Sequence, residues 1–227
     1  MRVRKTLRRI LTAQLIAGVV IFIVMTMTLA EISEDVINRE PLTVADAQIK
    51  DWLYNQRAPQ LTRIMFGITF LGSTQAASLI SVGFAIYLLW RRRFYWLAAT
   101  TASVFGGMLL NRLLKYAFQR PRPFFTDPLL RLGTYSFPSG HTMTATVLYG
   151  VLAAYLCALT SDWRRRVLVV FAAVVVILLV AFSRMYLGAH FLSDVLAAMA
   201  EGLAWLSLCL TIVHTLWELR QRDLAKP

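Results

Sequence analysis

The sequence is poor in charged residues and in cysteine. Charged residues make up 16% of the 227 residues, against about 25% in a typical soluble domain, while 58% are hydrophobic. This composition excludes a disordered chain and argues against an ordinary soluble globule. The two cysteines, Cys157 and Cys209, lie inside apolar runs, so we expect small core residues rather than a disulfide.

Acidic residues are half as frequent as basic ones, with 12 Asp and Glu against 24 Lys and Arg, which gives a formal net charge of +12. In a soluble chain this excess would indicate a nucleic acid as the partner. Here the basic residues stand in short clusters between long apolar runs, as in the cytoplasmic loops of a membrane protein. We therefore expect membrane lipids, and no nucleic acid, as partners.

Six apolar runs are close to the length of about 20 residues that a helix needs to cross a bilayer. They cover residues 10–30, 71–90, 94–114, 140–160, 167–182 and 191–215. A shorter apolar patch at residues 64–70 predicts a short interfacial helix that turns into the second span. The sequence thus predicts an all-α polytopic membrane protein, with six transmembrane helices in one bundle and a single domain over residues 1–227.

Basic clusters mark the chain ends and every second connection between these runs, which places both termini in the cytoplasm. The clusters are Arg2, Arg4, Lys5, Arg8 and Arg9; Arg91, Arg92 and Arg93; Arg164, Arg165 and Arg166; and Arg220, Arg222 and Lys226. The segments 31–63, 115–139 and 183–190 then face outward. The first of these is acidic, with Glu31, Glu34, Asp35, Glu40, Asp46 and Asp51, and we expect it to form an outer loop on the bilayer together with Trp52 and Tyr54.

The N-terminal run allows a second interpretation, a secretory signal peptide cleaved near Thr28-Leu29-Ala30. Its apolar stretch of about 20 residues is longer than the 7–15 residues of a typical signal core. We therefore prefer an uncleaved first span.

Polar side chains, which are costly inside a membrane, cluster at the outward ends of the third to sixth spans. His190 and Asp194 are four residues apart, so on a helix they share one face. A carboxylate in this position can accept the proton of one ring nitrogen and leave the other as a nucleophile. Ser139 follows Pro138 at a predicted helix start, where it is a candidate N-cap and the free N–H groups favour an anion.

Cations from separate segments complete a phosphate site at this membrane face. Lys115, Arg122 and Arg184 can neutralise a bound phosphate, and His141 can protonate the leaving oxygen. No grouping of Asp, Glu, His and Cys indicates a metal site. We expect no metal and no cofactor, with the cations in place of Mg²⁺.

In chain order, these residues resemble the three-part signature of the type 2 phosphatidic acid phosphatase (PAP2) superfamily, which also includes vanadium haloperoxidases. The matching motifs are Lys115 with Arg122-Pro123, then Pro138-Ser139-Gly140-His141, then Ser183-Arg184 with His190 and Asp194. They span residues 115–194, and the six-span layout extends the resemblance to nearly the whole chain.

The resemblance implies a metal-independent phosphatase that works through a phosphohistidine. It implies His190 as the nucleophile, Asp194 as its partner and His141 as the leaving-group acid. The phosphate ligands that it implies are Lys115, Arg122, Ser139, Gly140 and Arg184.

Four polar residues stand outside these motifs. Arg120 precedes a proline as Arg122 does, but the family spacing selects Arg122, and we interpret Arg120 as a surface cation near lipid phosphate. Arg112 and Glu201 fall inside predicted spans, where we prefer a structural ion pair to a role in substrate binding. We interpret His214 as structural.

The function that the sequence predicts is a lipid phosphatase of the plasma (inner) membrane, with its active site facing outside or the periplasm. The substrate is expected to be a lipid phosphate or diphosphate. We favour undecaprenyl diphosphate, with phosphatidylglycerophosphate and phosphatidic acid as alternatives. Transfer of phosphate to another acceptor would use the same residues. Six apolar runs argue against a haloperoxidase, and the grouping of both histidines with Asp194 argues against a transporter or scaffold.

Overall fold

The computed structural model describes residues 2–39, 41–130 and 132–224, and side chains for residues 14–39, 41–130 and 132–220. Some residues that the sequence assigns to particular faces of the membrane lie outside the described side chains. They are Arg2, Arg4, Lys5, Arg8, Arg9, Glu40, Arg222 and Lys226.

The described part of the chain is helical and contains no β-strand, which confirms the predicted all-α class. In chain order the helices are α1 (Arg2–Asn38), α2 (Pro41–Asn55), α3 (Pro59–Phe70), α4 (Thr74–Trp90), α5 (Phe94–Thr101), α6 (Gly107–Phe118), α7 (Gly140–Ala158), α8 (Trp163–Tyr186) and α9 (Leu192–Leu224). A π-helical turn, Ala102–Gly106, joins α5 to α6.

Five continuous helical stretches in the described chain are long and apolar enough to cross a membrane. They are Gln14–Asn38, Phe94–Phe118, Gly140–Ala158, Trp163–Tyr186 and Leu192–Arg220. The sixth predicted span is a bent pair, α3 and α4, whose axes differ by 40°. The prediction of six spans therefore agrees with the structure when this pair counts as one, and the predicted short helix before it is α3.

The bend between α3 and α4 comes from Gly72 and Ser73. The Ser73 hydroxyl accepts a hydrogen bond from Ala76 N at 3.1 Å, so a new helix begins there. A Cβ on Gly72 would lie 2.7 Å from the carbonyl oxygen of His141, so only glycine allows this close approach. The bend is thereby packed against the start of α7.

The predicted outer loop is wrong, because the acidic segment is helical. Helix α1 continues through Glu31, Glu34 and Asp35, and α2 follows it with Asp46 buried. The apolar run ends at Ala30, and a run of this kind marks only the part of a helix that can lie in lipid. Where a helix continues beyond the apolar run as an amphipathic segment, the hydropathy of the sequence therefore does not indicate it.

Helix α7 lies at the centre of the bundle, and α1 packs along α9. A buried apolar cluster joins α7 to α9 through Met143, Val147, Val151, Ala198 and Leu206. By contrast, α1 and α8 expose Val, Ile, Leu and Phe side chains along their outer faces, as helices in contact with lipid do. Cys157 and Cys209 are both free, as predicted.

Candidate active site

Four helix ends meet at one end of the bundle and carry the predicted residues. They are the last turn of α6 with Lys115, the first turn of α7 with Gly140 and His141, the last turn of α8 with Arg184, and the first turn of α9 with Asp194. Arg122 and Ser139 come from the segment 119–139 between α6 and α7. Residues far apart in the sequence thus converge as the spacing predicted.

The turn between α8 and α9 presents His190. Gly188 has a φ of +71°, a left-handed conformation that glycine adopts without strain, and it lets the chain reverse after α8. His190 Nδ1 lies 3.3 Å from Asp194 Oδ2, and both side chains are buried. This contact favours the tautomer with the proton on Nδ1, which leaves a lone pair on Nε2.

The other ring nitrogen of His190 faces a cation. Arg122 Nη1 lies 3.3 Å from His190 Nε2 and donates a hydrogen bond to Ala189 O at 2.8 Å. Burial lowers the pKa of His190 to about 3, although the hydrogen bond to Asp194 acts in the opposite direction. The imidazole is therefore neutral at physiological pH, as a nucleophile must be.

Arg122 is also fixed from its other side. Its Nε donates to Thr134 O at 2.6 Å and its Nη2 to Thr134 Oγ1 at 2.8 Å. Desolvation by burial lowers the pKa of Arg122, yet a guanidinium stays charged in proteins. The positive charge is thus held beside His190 Nε2.

Lys115 holds the segment that leads into α7. Its ammonium donates to the carbonyl oxygens of Tyr135 at 3.0 Å, Ser136 at 3.3 Å and Pro138 at 2.5 Å. Lys115 also lines a cavity of about 470 Å³ together with Gly140 and His141. It therefore combines a structural role with a position from which it can contact an anion.

Arg184 is buried with unused donor capacity. Its Nη1 donates to Thr69 Oγ1 at 2.8 Å, but its Nε has no hydrogen-bond partner in the described part of the chain. A buried guanidinium N–H without an acceptor is costly, and a bound phosphate oxygen is an acceptor that fits it.

Ser139 occupies the N-cap position of α7, as predicted, but its side chain does not cap the helix. Its Oγ pairs with Thr142 Oγ1 at 3.0 Å, while its backbone N–H donates to Asp194 O at 3.0 Å. The early N–H groups of α7 consequently remain available to an anion.

Arg120 is not the surface cation that the sequence suggested. Its side chain is only 13% exposed, and it bridges Asp194 Oδ1 at 2.6 Å and Asp46 Oδ2 at 2.8 Å. Asp46 belongs to α2 and also accepts hydrogen bonds from Ser193 N and Ser193 Oγ. The prediction failed because the acidic partners are remote in sequence.

Asp194 has further partners that the motif does not contain. Its Oδ2 accepts hydrogen bonds from Phe191 N at 2.9 Å and from Ser136 Oγ. With Arg120 on Oδ1, the carboxylate is held from both sides. No local pattern marks Ser136, whereas its neighbours in the Pro138 motif are recognisable.

The predicted ion pair between Arg112 and Glu201 is also wrong. Glu201 Oε2 accepts a hydrogen bond from Asn111 Nδ2 at 2.8 Å, and no ion pair joins Glu201 to Arg112. Arg112 is instead exposed and lines the same cavity as Lys115 and His141. The neighbouring Asn111 faces the interior, which turns Arg112 away from Glu201.

No metal cluster stands in this region: among the described residues, no group of three or more His, Cys, Asp or Glu side chains is placed to hold a metal ion. His214 lies elsewhere, with its ring in edge contact with Tyr95 at 6.3 Å between centroids. Its structural role stays a prediction.

This arrangement of helices and residues is that of a membrane phosphatase. Residues 95–218 match the PAP2 superfamily, and the chain belongs to that superfamily. The phosphatases of this superfamily hydrolyse phosphate esters of lipids, and this chain is such an enzyme.

Relatives with named activities agree with this class. Phosphatidylglycerophosphatase B of Bacillus subtilis is 38% identical over 149 residues, which cover 65% of this chain and 72% of the relative. Lipid A 1-phosphatase of Rhizobium etli is 34% identical, covering 57% of this chain and 53% of the relative. Undecaprenyl-diphosphatase of Sulfolobus acidocaldarius is 33% identical, covering 44% of this chain and 47% of the relative. The chain thus spans about half the length of the last two.

Two solved structures share the fold. The first transmembrane PAP2 type phosphatidylglycerolphosphate phosphatase from Bacillus subtilis superposes with a TM-score of 0.73 at 30% identity, covering 89% of this chain and 96% of that one. LpxE of Aquifex aeolicus has a TM-score of 0.57 at 22% identity, covering 74% of this chain and 94% of that one.

Proposed function

We propose that this protein hydrolyses a lipid phosphate through a phosphohistidine on His190. The observation that carries the proposal is the His190 imidazole, held by Asp194 at Nδ1 while Nε2 faces Arg122 at 3.3 Å. A neutral nitrogen beside a fixed cation is suited to attack a phosphorus atom whose oxygens that cation binds.

The reaction takes two steps. His190 Nε2 forms a bond to phosphorus while the bond from phosphorus to the lipid oxygen breaks, and His141 gives a proton to that leaving oxygen. His141 then accepts a proton from water, whose oxygen attacks the phosphohistidine and breaks its N–P bond. Inorganic phosphate leaves, and both histidines return to their starting states.

The phosphate ligands in this proposal are Lys115, Arg122, Ser139, Gly140 and Arg184. The unpartnered Nε of Arg184 and the early N–H groups of α7, which the Ser139 side chain does not cap, support it, because neither has an acceptor among the described residues. These charges stabilise the transferring group without a metal ion. Transfer of the phosphoryl group to an alcohol instead of water would use the same groups. Addition of an alcohol to the assay tests this, since a new phosphate ester would then form.

The proposed substrate is phosphatidylglycerophosphate, on the strength of the Bacillus subtilis relatives in sequence and structure. The second candidate, undecaprenyl diphosphate, is favoured by a specific observation. Arg112 adds a further cation to the cavity that contains Lys115. A second phosphate group could pair with this cation, and a relative from Sulfolobus acidocaldarius is an undecaprenyl-diphosphatase.

We further propose that the enzyme lies in the plasma membrane with its site on the outer face and both termini in the cytoplasm. The support is the alternation of basic clusters along the chain, with Arg91 to Arg93 and Arg164 to Arg166 on one side.

The experiment is phosphate release by the purified protein from phosphatidylglycerophosphate, phosphatidic acid and undecaprenyl diphosphate, with and without EDTA. We expect release that EDTA leaves unchanged and that His190→Ala abolishes. The matched control is His214→Ala, which alters a histidine of α9 that contacts Tyr95. Loss of activity on chelation, or an active His190→Ala variant, would contradict the proposed mechanism.

A further inference from the structure

A chain of buried charged groups leads from His190 to a helix outside the signature motifs. Asp194 Oδ1 accepts from Arg120 Nη1 at 2.6 Å, and Arg120 Nη2 donates to Asp46 Oδ2 at 2.8 Å. The two carboxylates are 0% and 1% exposed, so this is a desolvated network. Asp46 lies on α2, and it also accepts hydrogen bonds from the backbone N–H and the Oγ of Ser193 on α9.

We propose that Asp46 and Arg120 are positioning residues for phosphoryl transfer, in which Asp46 holds the guanidinium of Arg120 so that it fixes the carboxylate of Asp194 behind His190. This inference rests on the proposed function, because it requires His190 to be the nucleophile.

Geometry gives the first reason. A guanidinium is a rigid planar fork, and here two of its nitrogens are used by carboxylates from different helices. Contact with both Asp46 and Asp194 fixes its plane. Nη1 of Arg120 also donates to Ser193 Oγ at 2.6 Å, so Asp46 is the partner that holds Nη2. Without Asp46, Nη2 loses its acceptor, and the guanidinium can turn and compete for lone pairs of Asp194 that now serve Ser136 and His190.

Charge gives the second reason. Asp46 and Asp194 with Arg120 between them carry a net charge of one negative unit, which is isolated from solvent. When Nε2 of His190 bonds to phosphorus, the imidazole ring gains positive charge. The excess negative charge behind the ring therefore stabilises the transition state more than the ground state.

The contacts of Ser193 allow a purely structural role of Asp46 to be separated from a role in positioning Arg120. Its N–H and its Oγ both bond to Asp46, at 2.9 and 2.5 Å, and these bonds would anchor α2 to α9 even without Arg120. An asparagine at position 46 keeps the shape: its oxygen can accept from Ser193 N and its amide nitrogen can donate to Ser193 Oγ, whereas the charge and the acceptor of Arg120 Nη2 are lost. Asp46→Asn thus separates anchoring from positioning.

The experiment compares four quantities in the full-length protein: kcat, KM, and the inhibition constants of vanadate and inorganic phosphate. Vanadate can take the trigonal-bipyramidal shape of the transferring group on a histidine nitrogen, whereas phosphate binds as a ground-state product. For Asp46→Asn we expect kcat to fall about tenfold and the vanadate constant to rise about tenfold, a loss typical of removed supporting groups. KM and the phosphate constant should change less than twofold.

Arg120→Lys provides the second variant, because lysine keeps the charge but cannot bridge both carboxylates as a planar fork. We expect the same pattern as for Asp46→Asn. The matched control is Asp51→Asn, which alters an exposed carboxylate on the same helix that pairs with Lys50, and it should leave all four constants unchanged.

Partial misfolding lowers kcat by reducing the number of active molecules but leaves the vanadate constant as it was. A fall in kcat without a rise in that constant, or no effect of Asp46→Asn, would overturn the positioning role. An active His190→Ala variant would instead overturn the proposed function. If His190→Ala is inactive and Asp46→Asn has the constants of the parent, only the positioning role is overturned and the proposed function stands.

Discussion

The two histidines of the site have different surroundings, and the roles proposed for them rest on this difference. Both ring nitrogens of His190 face fixed groups, Asp194 and Arg122. The ring of His141 has no hydrogen bond to the described residues and lines the cavity. A nucleophile needs a fixed orientation, whereas a leaving-group acid must be accessible to the substrate oxygen.

The first prediction separates these roles by leaving group. His141→Ala removes a proton donor, and general acid catalysis is worth about 10²–10⁴-fold where the leaving group is poor. A lipid alkoxide is poor, whereas an aryl oxide leaves readily. We expect kcat/KM to fall far more on an alkyl phosphate than on an aryl phosphate.

His190→Ala should abolish the phosphoenzyme with both substrates, and Asp194→Asn should fall between the two histidine variants, because it disturbs His190 without removing it. The measurements are kcat/KM on each substrate and trapping of a phosphate label on the protein that is stable in base and lost in acid, as a phosphohistidine requires. If His141→Ala lowers kcat/KM equally on both substrates, the assignment of His141 as the leaving-group acid is wrong.

The second prediction concerns Arg112. A cation that lines the cavity can bind the second phosphate of a diphosphate by a charge-assisted hydrogen bond. Arg112→Gln should raise KM for undecaprenyl diphosphate about tenfold, within the range for one such bond, and leave KM for an aryl monophosphate nearly unchanged. Arg63→Gln is the control, since Arg63 is exposed on α3 and does not line the cavity. Equal effects on both substrates would speak against a role in diphosphate binding.

At the scale of helices, the bend between α3 and α4 sets the position of the start of α7. The approach of Gly72 to the carbonyl of His141 leaves no space for a side chain. Arg184 reaches the same place from α8 through Thr69 of α3. Packing of the bend therefore affects both a proposed phosphate ligand and the proposed acid.

The third prediction follows from that packing. Gly72→Ala adds a Cβ at 2.6 Å from Val180 Cγ1 and 2.7 Å from a backbone oxygen, so helices must shift. Overpacking of this kind costs about 1–3 kcal/mol. We expect a lower thermal unfolding temperature in detergent together with reduced kcat.

Gly67→Ala is the matched control, because nothing lies within 4 Å of the added Cβ on α3. Alanine is favoured over glycine in a helix by about 1 kcal/mol, so this variant should be as stable as the parent or more so. If Gly72→Ala unfolds at the parent temperature, the close approach does not restrict the bend.

The sequence predicts helices where an apolar run marks them and predicts little beyond such runs. It locates α7, α8 and α9, because each contains a run close to the length of a bilayer. It misses α2, whose residues are mixed in polarity, and the π-helical turn Ala102–Gly106, which has no periodicity of its own.

The same limit applies to the site. The signature residues are predictable because their spacing along helices is fixed. The ion pair of Arg120 with Asp46 is not, because it joins residues 74 positions apart and depends on how α2 packs against α9. Long-range pairing of this kind is a property of the fold and leaves no local pattern.

On the scale of the whole molecule, the bundle has an apolar outer face, and its two ends carry different groups. Arg91 and Arg165 are exposed at connections on one side, whereas the proposed site lies among helix ends on the other. Contacts within the protein do not determine which end faces the cytoplasm. That orientation is determined during insertion by the positive charges of short loops.

The fourth prediction tests this orientation by cysteine labelling in intact cells, in a background with Cys157→Ser and Cys209→Ala. Asn55→Cys and Thr126→Cys alter exposed residues near the site and should react with a thiol reagent that does not cross membranes. Arg91→Cys and Arg165→Cys should react only after the cells are opened, because the proposed orientation places the basic connections in the cytoplasm. Activity of each variant is measured alongside, so that only folded protein is compared. The reverse labelling pattern would place the site in the cytoplasm, and the substrate would then have to come from the inner leaflet.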